Sequence, residues 1–220
     1  MKTIAKSSKS RFLLPFVVDA SGSKIQVGIP GKTSWKSLSI SSEQALEGLF
    51  KTAEKTLHES NKTLLEVDAV FFCEGPGSTL GLRIAAAFVR TIAWASKASP
   101  SVFKYNALDL AAKMNESKIS TIQAPFRRGF RFLRTGPEEI GKKEILPEEE
   151  ALSIQEGCIH LPDFRNPNYP PPPAKIISYD LSHVQGLTDL IPLATRSENA
   201  IPYSPRPAEF TKWEAPKISP

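Results

Sequence analysis

Residues that bind metals or form disulfides are scarce in this chain. Cysteine occurs only at positions 73 and 158, so neither a disulfide framework nor a cysteine-based zinc cluster can be built, and Cys73 lies inside an apolar run that reads as a buried strand. A reducing, cytoplasmic setting suits such a chain. Histidine occurs only at His58, His160 and His183, and no two are four residues apart, the helical spacing that turns two imidazoles towards one ion. Long apolar runs are missing as well: no stretch approaches the ~20 residues that span a bilayer, so no membrane segment is expected. Lys2, Lys6, Lys9 and Arg11 ahead of Phe12 to Val18 imitate the start of an export signal. Pro15 interrupts that run, Asp19 ends it, and no Ala-x-Ala cleavage pattern follows, so export is not expected.

What is present is a basic, proline-rich globular composition. A net charge of +5 permits an anionic partner and says nothing about fold. Proline, at 19 residues against 12 glycines, is concentrated late, above all in Asn166-Pro167-Asn168-Tyr169-Pro170-Pro171-Pro172-Pro173, which reads as a stiff polyproline connector. Residues 1–10 are polar and basic and read as a disordered N-terminus.

Periodicity gives an α/β order. Phe12 to Val18 and Lys24 to Ile29 read as two strands around a Ser-Gly-Ser turn, and Trp35 to Ile40 as a third. Ser41 or Ser42 can cap a helix over 43–60, where Leu46, Leu49, Phe50, Ala53 and Leu57 form one apolar stripe. Leu64 to Cys73 reads as a buried strand of a sheet covered on both faces. Behind it, an apolar helix runs to Ala95. A strand at Val102 to Tyr105, a helix at Ala107 to Met114 and a weak hairpin of Ile119 to Ala124 with Phe130 to Arg134 come next. Residues 136–150 read as a charged loop, and a strand at Lys175 to Tyr179 and a short helix within Leu187 to Ala194 close the pattern.

The junction Gly75-Pro76-Gly77-Ser78-Thr79-Leu80-Gly81-Leu82-Arg83 is the candidate site. It lacks the Gly-Lys-Ser/Thr ending of a P-loop, and Gly75, Gly77 and Gly81 miss the dinucleotide spacing. A tight strand-to-helix corner is the better reading, with Ser78 or Thr79 capping the helix. That helix is apolar nearly all round and needs cover on more than one side. No Gly-x-Ser-x-Gly elbow surrounds any serine, which argues against a serine hydrolase. Arg127, Arg128, Arg131 and Arg134 alternate with Phe126, Phe130 and Phe132, a composition RNA contact uses. Alternation alone accounts for their order as a half-buried hairpin with a charged outer face.

The stretch Gly75 to Ile84 resembles the Gly-Pro-Gly-Ser-Phe-Thr-Gly-Leu-Arg-Ile/Val signature of the YeaZ/TsaB family, departing at Thr79 and Leu80. Asp19-Ala20-Ser21 resembles the family's Asp-Thr-Ser, and Asp68-Ala69-Val70 stands where its preceding strand begins. The resemblance covers residues 12–112, thins over 113–135 and fades beyond 140. It implies an actin/Hsp70-like α/β fold of two lobes with mixed sheets flanked by helices, a first lobe at 11–98, a reduced second lobe at 99–196 and a proline-rich tail at 197–220. It further implies an accessory, non-enzymatic subunit in making threonylcarbamoyladenosine on tRNA, without a cofactor or metal. The implied partners are a TsaD-like catalytic transferase subunit and its TsaE-like ATPase, with homodimers as another use of the same surface and tRNA reached indirectly. The paired faces would then be Leu46, Leu49, Phe50 and Ala53 with Leu82, Arg83, Ala86, Val89 and Arg90, and the signature turn Gly75, Pro76, Gly77, Ser78 and Gly81. The alternative within the same fold is a nucleotide-dependent phosphotransferase or ATPase in which Asp19 helps to hold a magnesium nucleotide.

Overall fold

Buried runs on either side of the Ser21–Ser23 turn make the first hairpin, β1 (Pro15–Asp19) and β2 (Ile25–Pro30), and β3 (Trp35–Ser41) adds to it antiparallel. The computed structural model describes residues 12–96, 99–115, 121–154, 157–163, 166, 168–171 and 174–203. Helix α1 (Ala45–Glu59) follows. Its expected serine caps act one step earlier, since the Ser41 hydroxyl accepts from the Glu43 amide and no side chain caps the helix.

The run from Leu64 does not begin a strand. Thr63 and Glu66 close a reciprocal capping box around a 3-10 turn at Leu64–Glu66, and extended pairing starts only at β4 (Ala69–Gly75). Helix α2 (Thr79–Ala95), β5 (Ser101–Asn106) and α3 (Ala107–Met114) come next. The second sheet is built from β6 (Thr121–Pro125), β7 (Phe130–Thr135), β8 (Lys142–Pro147), β9 (Cys158–His160) and β10 (Lys175–Ile176), with α4 (Glu148–Ser153) after β8. Helix α5 (Gly186–Leu193) and β11 (Thr195–Ser197) end the described elements.

The first sheet has the order β11-β5-β4-β1-β2-β3 and the second β10-β9-β6-β7-β8. The first therefore does not stop at residue 98: β5 joins it parallel to β4, and β11 returns to pair with β5. Residues 136–150, read as loop, contain β8 and the start of α4. Lys-Lys-Glu-Ile-Leu-Pro is a half-exposed edge strand whose pattern is too polar to stand out. The expected strand to Tyr179 keeps only Lys175 and Ile176. Residues 1–10, expected to be disordered, most of the tail, and Pro167, Pro172 and Pro173 of the proline run lie outside the described residues.

Residue parity on the first sheet assigns the two cores. Phe16, Val18, Val70 and Phe72 face α1 and α2, whereas Val17, Phe71, Cys73 and Phe103 face α3, α5 and the second sheet. Phe71 stacks on Phe103 at 4.9 Å, and each such buried ring contributes about 1.5–3 kcal/mol. Helix α3 lies between the sheets, touching β4, β5 and β6. Asp109 pins it there, accepting from Arg134 Nε at 2.9 Å, Lys143 Nζ at 2.6 Å and the Gly141 amide at 3.0 Å.

Candidate functional site

The glycine corner at the end of β4 packs against the end of β1. Gly75 has φ +112°, a left-handed conformation that favours glycine. A Cβ at Gly77 would collide with the Ser21 carbonyl, and one at Gly81 with the Ala20 carbonyl. Those contacts let the Ser78 amide donate to Ser21 O at 2.8 Å, while Ser78 Oγ accepts from the Gly81 amide at 3.2 Å and caps α2. The glycines serve backbone-to-backbone approach, and the corner fixes the direction in which α2 leaves the sheet.

The residues expected on the partner face divide into two groups. Leu49, Ala53, Ala86 and Val89 are buried against the chain's own first sheet, and Leu82 is buried beside the Gly75 corner. Covering a sheet takes the apolar stripe of each helix, so these side chains are turned inward. Leu46 and Phe50 are 61% and 50% exposed, and Arg83 and Arg90 also face outward. Two residues absent from the expectation join them, Leu80 at 65% and Trp94 at 88% exposure. Leu80, Arg83, Ala87, Arg90 and Trp94 recur at steps of three and four, the spacing of one helix face, and run along about 21 Å of α2. That spacing was visible in the sequence, but a helix apolar on most sides gives no indication of which stripe its own sheet covers. Phe50 meets Phe88 edge-to-face at 5.1 Å, which joins the exposed face of α1 to α2.

Asp19, the residue on which a nucleotide site would depend, is completely buried where β1 meets the corner. Its Oδ1 accepts from the Ser21 amide at 2.8 Å and Ser21 Oγ at 2.6 Å, and its Oδ2 from Tyr105 Oη at 2.8 Å and Tyr179 Oη at 2.7 Å. Both oxygens are thus engaged by the chain itself. Burial, and then the Asp19 charge, raise both tyrosines well above their ordinary value, so the hydroxyls stay protonated donors. The same two causes raise Cys73, whose thiol lies 3.8 Å from Tyr179 Oη and has no thiolate character to offer. Sequence pattern placed Asp19 at a strand end but carried no sign of Tyr179, which arrives from 160 residues away.

A second polar cluster lies in the other sheet. Arg131 and Arg134, expected on a charged outer face, are 1% and 2% exposed. Arg134 belongs to the Asp109 pin. Arg131 Nε donates to Gln123 Oε1 at 3.1 Å, and its Nη2 lies 3.4 Å from His160 Nδ1. Burial, aided by that guanidinium, pushes His160 down to about 4, and burial pushes Cys158 up to about 11. Only Arg127 and Arg128 remain at the hairpin tip, Arg127 over the Phe130 ring at 4.5 Å. Among the described residues no group of His, Cys, Asp and Glu could hold a metal ion, and no helix is long and apolar enough to cross a membrane.

Two sheets flanked by helices, with the seam between them closed at Asp19, define an α/β protein of the actin-like two-lobe class. The family model described as TsaD: tRNA N6-adenosine threonylcarbamoyltransferase matches residues 39–122. YeaZ from Pseudomonas aeruginosa has the same fold, with a TM-score of 0.63 at 18% identity over 87% of this chain and 99% of that one. A crystal structure of an uncharacterized protein with similarity to peptidase YEAZ from Pseudomonas aeruginosa gives 0.62 at 18% identity, over 88% and 99% of the two chains. No curated protein matches the sequence.

Proposed function

We propose that this chain is a divergent YeaZ/TsaB-type protein acting as a non-catalytic interaction subunit in the formation of threonylcarbamoyladenosine on tRNA. In this reading it docks a TsaD-like catalytic subunit through the exposed face of α1 and α2, and a TsaE-like ATPase joins the assembly; a second copy of the chain is the competing occupant of that face. The observation that carries the proposal is the outward stripe Leu80, Ala87 and Trp94, flanked by Arg83 and Arg90 and continued by Leu46 and Phe50. A tryptophan at 88% exposure, with arginine beside it, has the composition of a binding hot spot rather than of a solvated helix face. The non-catalytic role is supported by the internal engagement of Asp19 and by the protonated state of both thiols.

The test is co-expression with the TsaD-like subunit of the same organism, followed by gel filtration and by measurement of threonylcarbamoyladenosine in tRNA from cells lacking this chain. A stable complex and loss of the modified nucleoside are expected. Normal modification in its absence would overturn the reading.

A further inference from the structure

Between β10 and α5 the chain leaves the second sheet and crosses to the first, where Tyr179, Leu181, Leu187 and Thr188 are fastened. Tyr179 Oη donates to Asp19 Oδ2 at 2.7 Å. The Leu181 amide donates to Gln26 Oε1 at 2.7 Å, and the Leu181 carbonyl accepts from Trp35 Nε1 at 2.8 Å. The Leu187 amide donates to Gly31 O at 2.9 Å, and Thr188 reaches Lys32 O through both its amide, at 2.9 Å, and its hydroxyl, at 2.7 Å. Asp19 and Gln26, which receive two of these bonds, are 0% and 1% exposed, so those two are shielded from competing water, whereas the bonds to Gly31 and Lys32 lie nearer the surface.

A cleft of about 310 Å³ lies alongside, between the Ser21–Lys24 turn and residues 176–180, and Tyr179 forms part of its lining. Asp19 does not line this cleft; it lies behind Tyr179, whose hydroxyl donates to it, and is fully buried. The acceptor sites that a bound cation or hydroxyl would use are filled by Tyr105 and Tyr179. The chain has supplied its own occupant.

We propose that residues 179–188 are a built-in strap that holds the two sheets at a fixed angle by placing the Tyr179 hydroxyl on Asp19, so that the α1–α2 face is presented constitutively and not gated by a ligand in the cleft. The physical argument is one of coupling. A ligand can shift a conformational equilibrium only by its differential affinity for the open and closed forms. Here Tyr179, which lines the cleft, already has its hydroxyl proton bonded to Asp19 and none to spare for a cleft ligand. Opening would separate the Tyr179 hydroxyl from Asp19, the Leu181 amide from Gln26 and the Trp35 indole from the Leu181 carbonyl, and leaving polar groups unpaired is costlier than exchanging them. The strap rests on the α1–α2 docking reading only for what it regulates; its existence as a clasp is independent of that reading.

Hydrogen exchange on the full-length wild type, Tyr179→Phe and Gln26→Ala tests this, with partner capture measured on the same three proteins in the presence and absence of magnesium ATP. In the wild type, the amides of Leu181, Leu187 and Thr188 exchange as slowly as those of the first sheet, and magnesium ATP changes neither exchange nor capture. Tyr179→Phe keeps the ring packing and removes one bond to a charged acceptor, so exchange along 179–188 accelerates roughly tenfold or more while α1 and α2 stay protected. Unprotected strap amides in the wild type, equal rates in wild type and Tyr179→Phe, or strap opening driven by magnesium ATP would each overturn the proposal. Absence of partner capture with a protected strap would instead refute the docking function and leave the clasp standing.

Discussion

Replacing Trp94 by alanine separates binding from folding more cleanly than any other change to this chain. Trp94 is 88% exposed, so the folded chain gains little from its side chain, and its removal shifts stability by no more than about 0.5 kcal/mol. At a partner interface the same indole can bury about 150–250 Å², a gross gain of about 4–6 kcal/mol at ~25 cal/mol per Å². Ordering and desolvation consume part of that, and a net hot-spot loss of about 2 kcal/mol or more remains. The expected outcome is therefore a Kd for the catalytic subunit raised by roughly thirtyfold, measured by calorimetry on purified proteins, with an unchanged thermal melt. Leu80→Asp, at 65% exposure one end of the stripe away, should act the same way. Ala86→Trp is the contrasting control. Ala86 is 1% exposed beneath α2, so the larger ring overpacks the core and costs about 1–3 kcal/mol of fold stability. Unaltered affinity in both Trp94→Ala and Leu80→Asp, with the melt intact, would refute the assignment of this stripe as the docking face.

Three further outcomes follow from the buried polar groups. Asp109→Ala leaves the Arg134 and Lys143 cations without their shared carboxylate and should cost about 3–5 kcal/mol in urea denaturation; a loss under about 1 kcal/mol would show that the pin is not structural. His160 is pushed from an ordinary 6.5 down to about 4, so the folded state favours neutral imidazole. Its contribution is complete above pH 6.5 and disappears as pH falls to about 4, up to about 3 kcal/mol, and His160→Gln should flatten that part of the stability profile. Tyr105 and Tyr179 are raised above the usual tyrosine value, so their contribution is intact below about pH 10 and declines as pH climbs from there through their higher folded values. Ultraviolet titration should show both phenols ionising only as the protein unfolds, and free titration of all tyrosines in the folded state would contradict the Asp19 geometry.

Much of the architecture was written in the order of residues. Apolar runs mark β1, β4 and β5, alternation marks β2 and β3, and the spacing of Leu46, Leu49, Ala53 and Leu57 marks α1, because burial leaves a local trace. The corner from Gly75 to Gly81 is legible for the same reason: close backbone approach demands glycine whatever the rest of the fold does. Strands β8 and β11 are different, being held by hydrogen bonds to partners already in place, and a polar edge of three to six residues has no pattern of its own. Alternation also could not show that β7 is covered on both faces, so Arg131 and Arg134, which lie on opposite faces, read as solvated although both are buried. Only the tertiary structure decided which stripe of α2 faces outward and what becomes of Asp19. The helix is apolar on most sides, and its own sheet chooses one of them. The carboxylate is claimed by a tyrosine 160 residues distant, and no local pattern encodes a meeting made by the path of the whole chain.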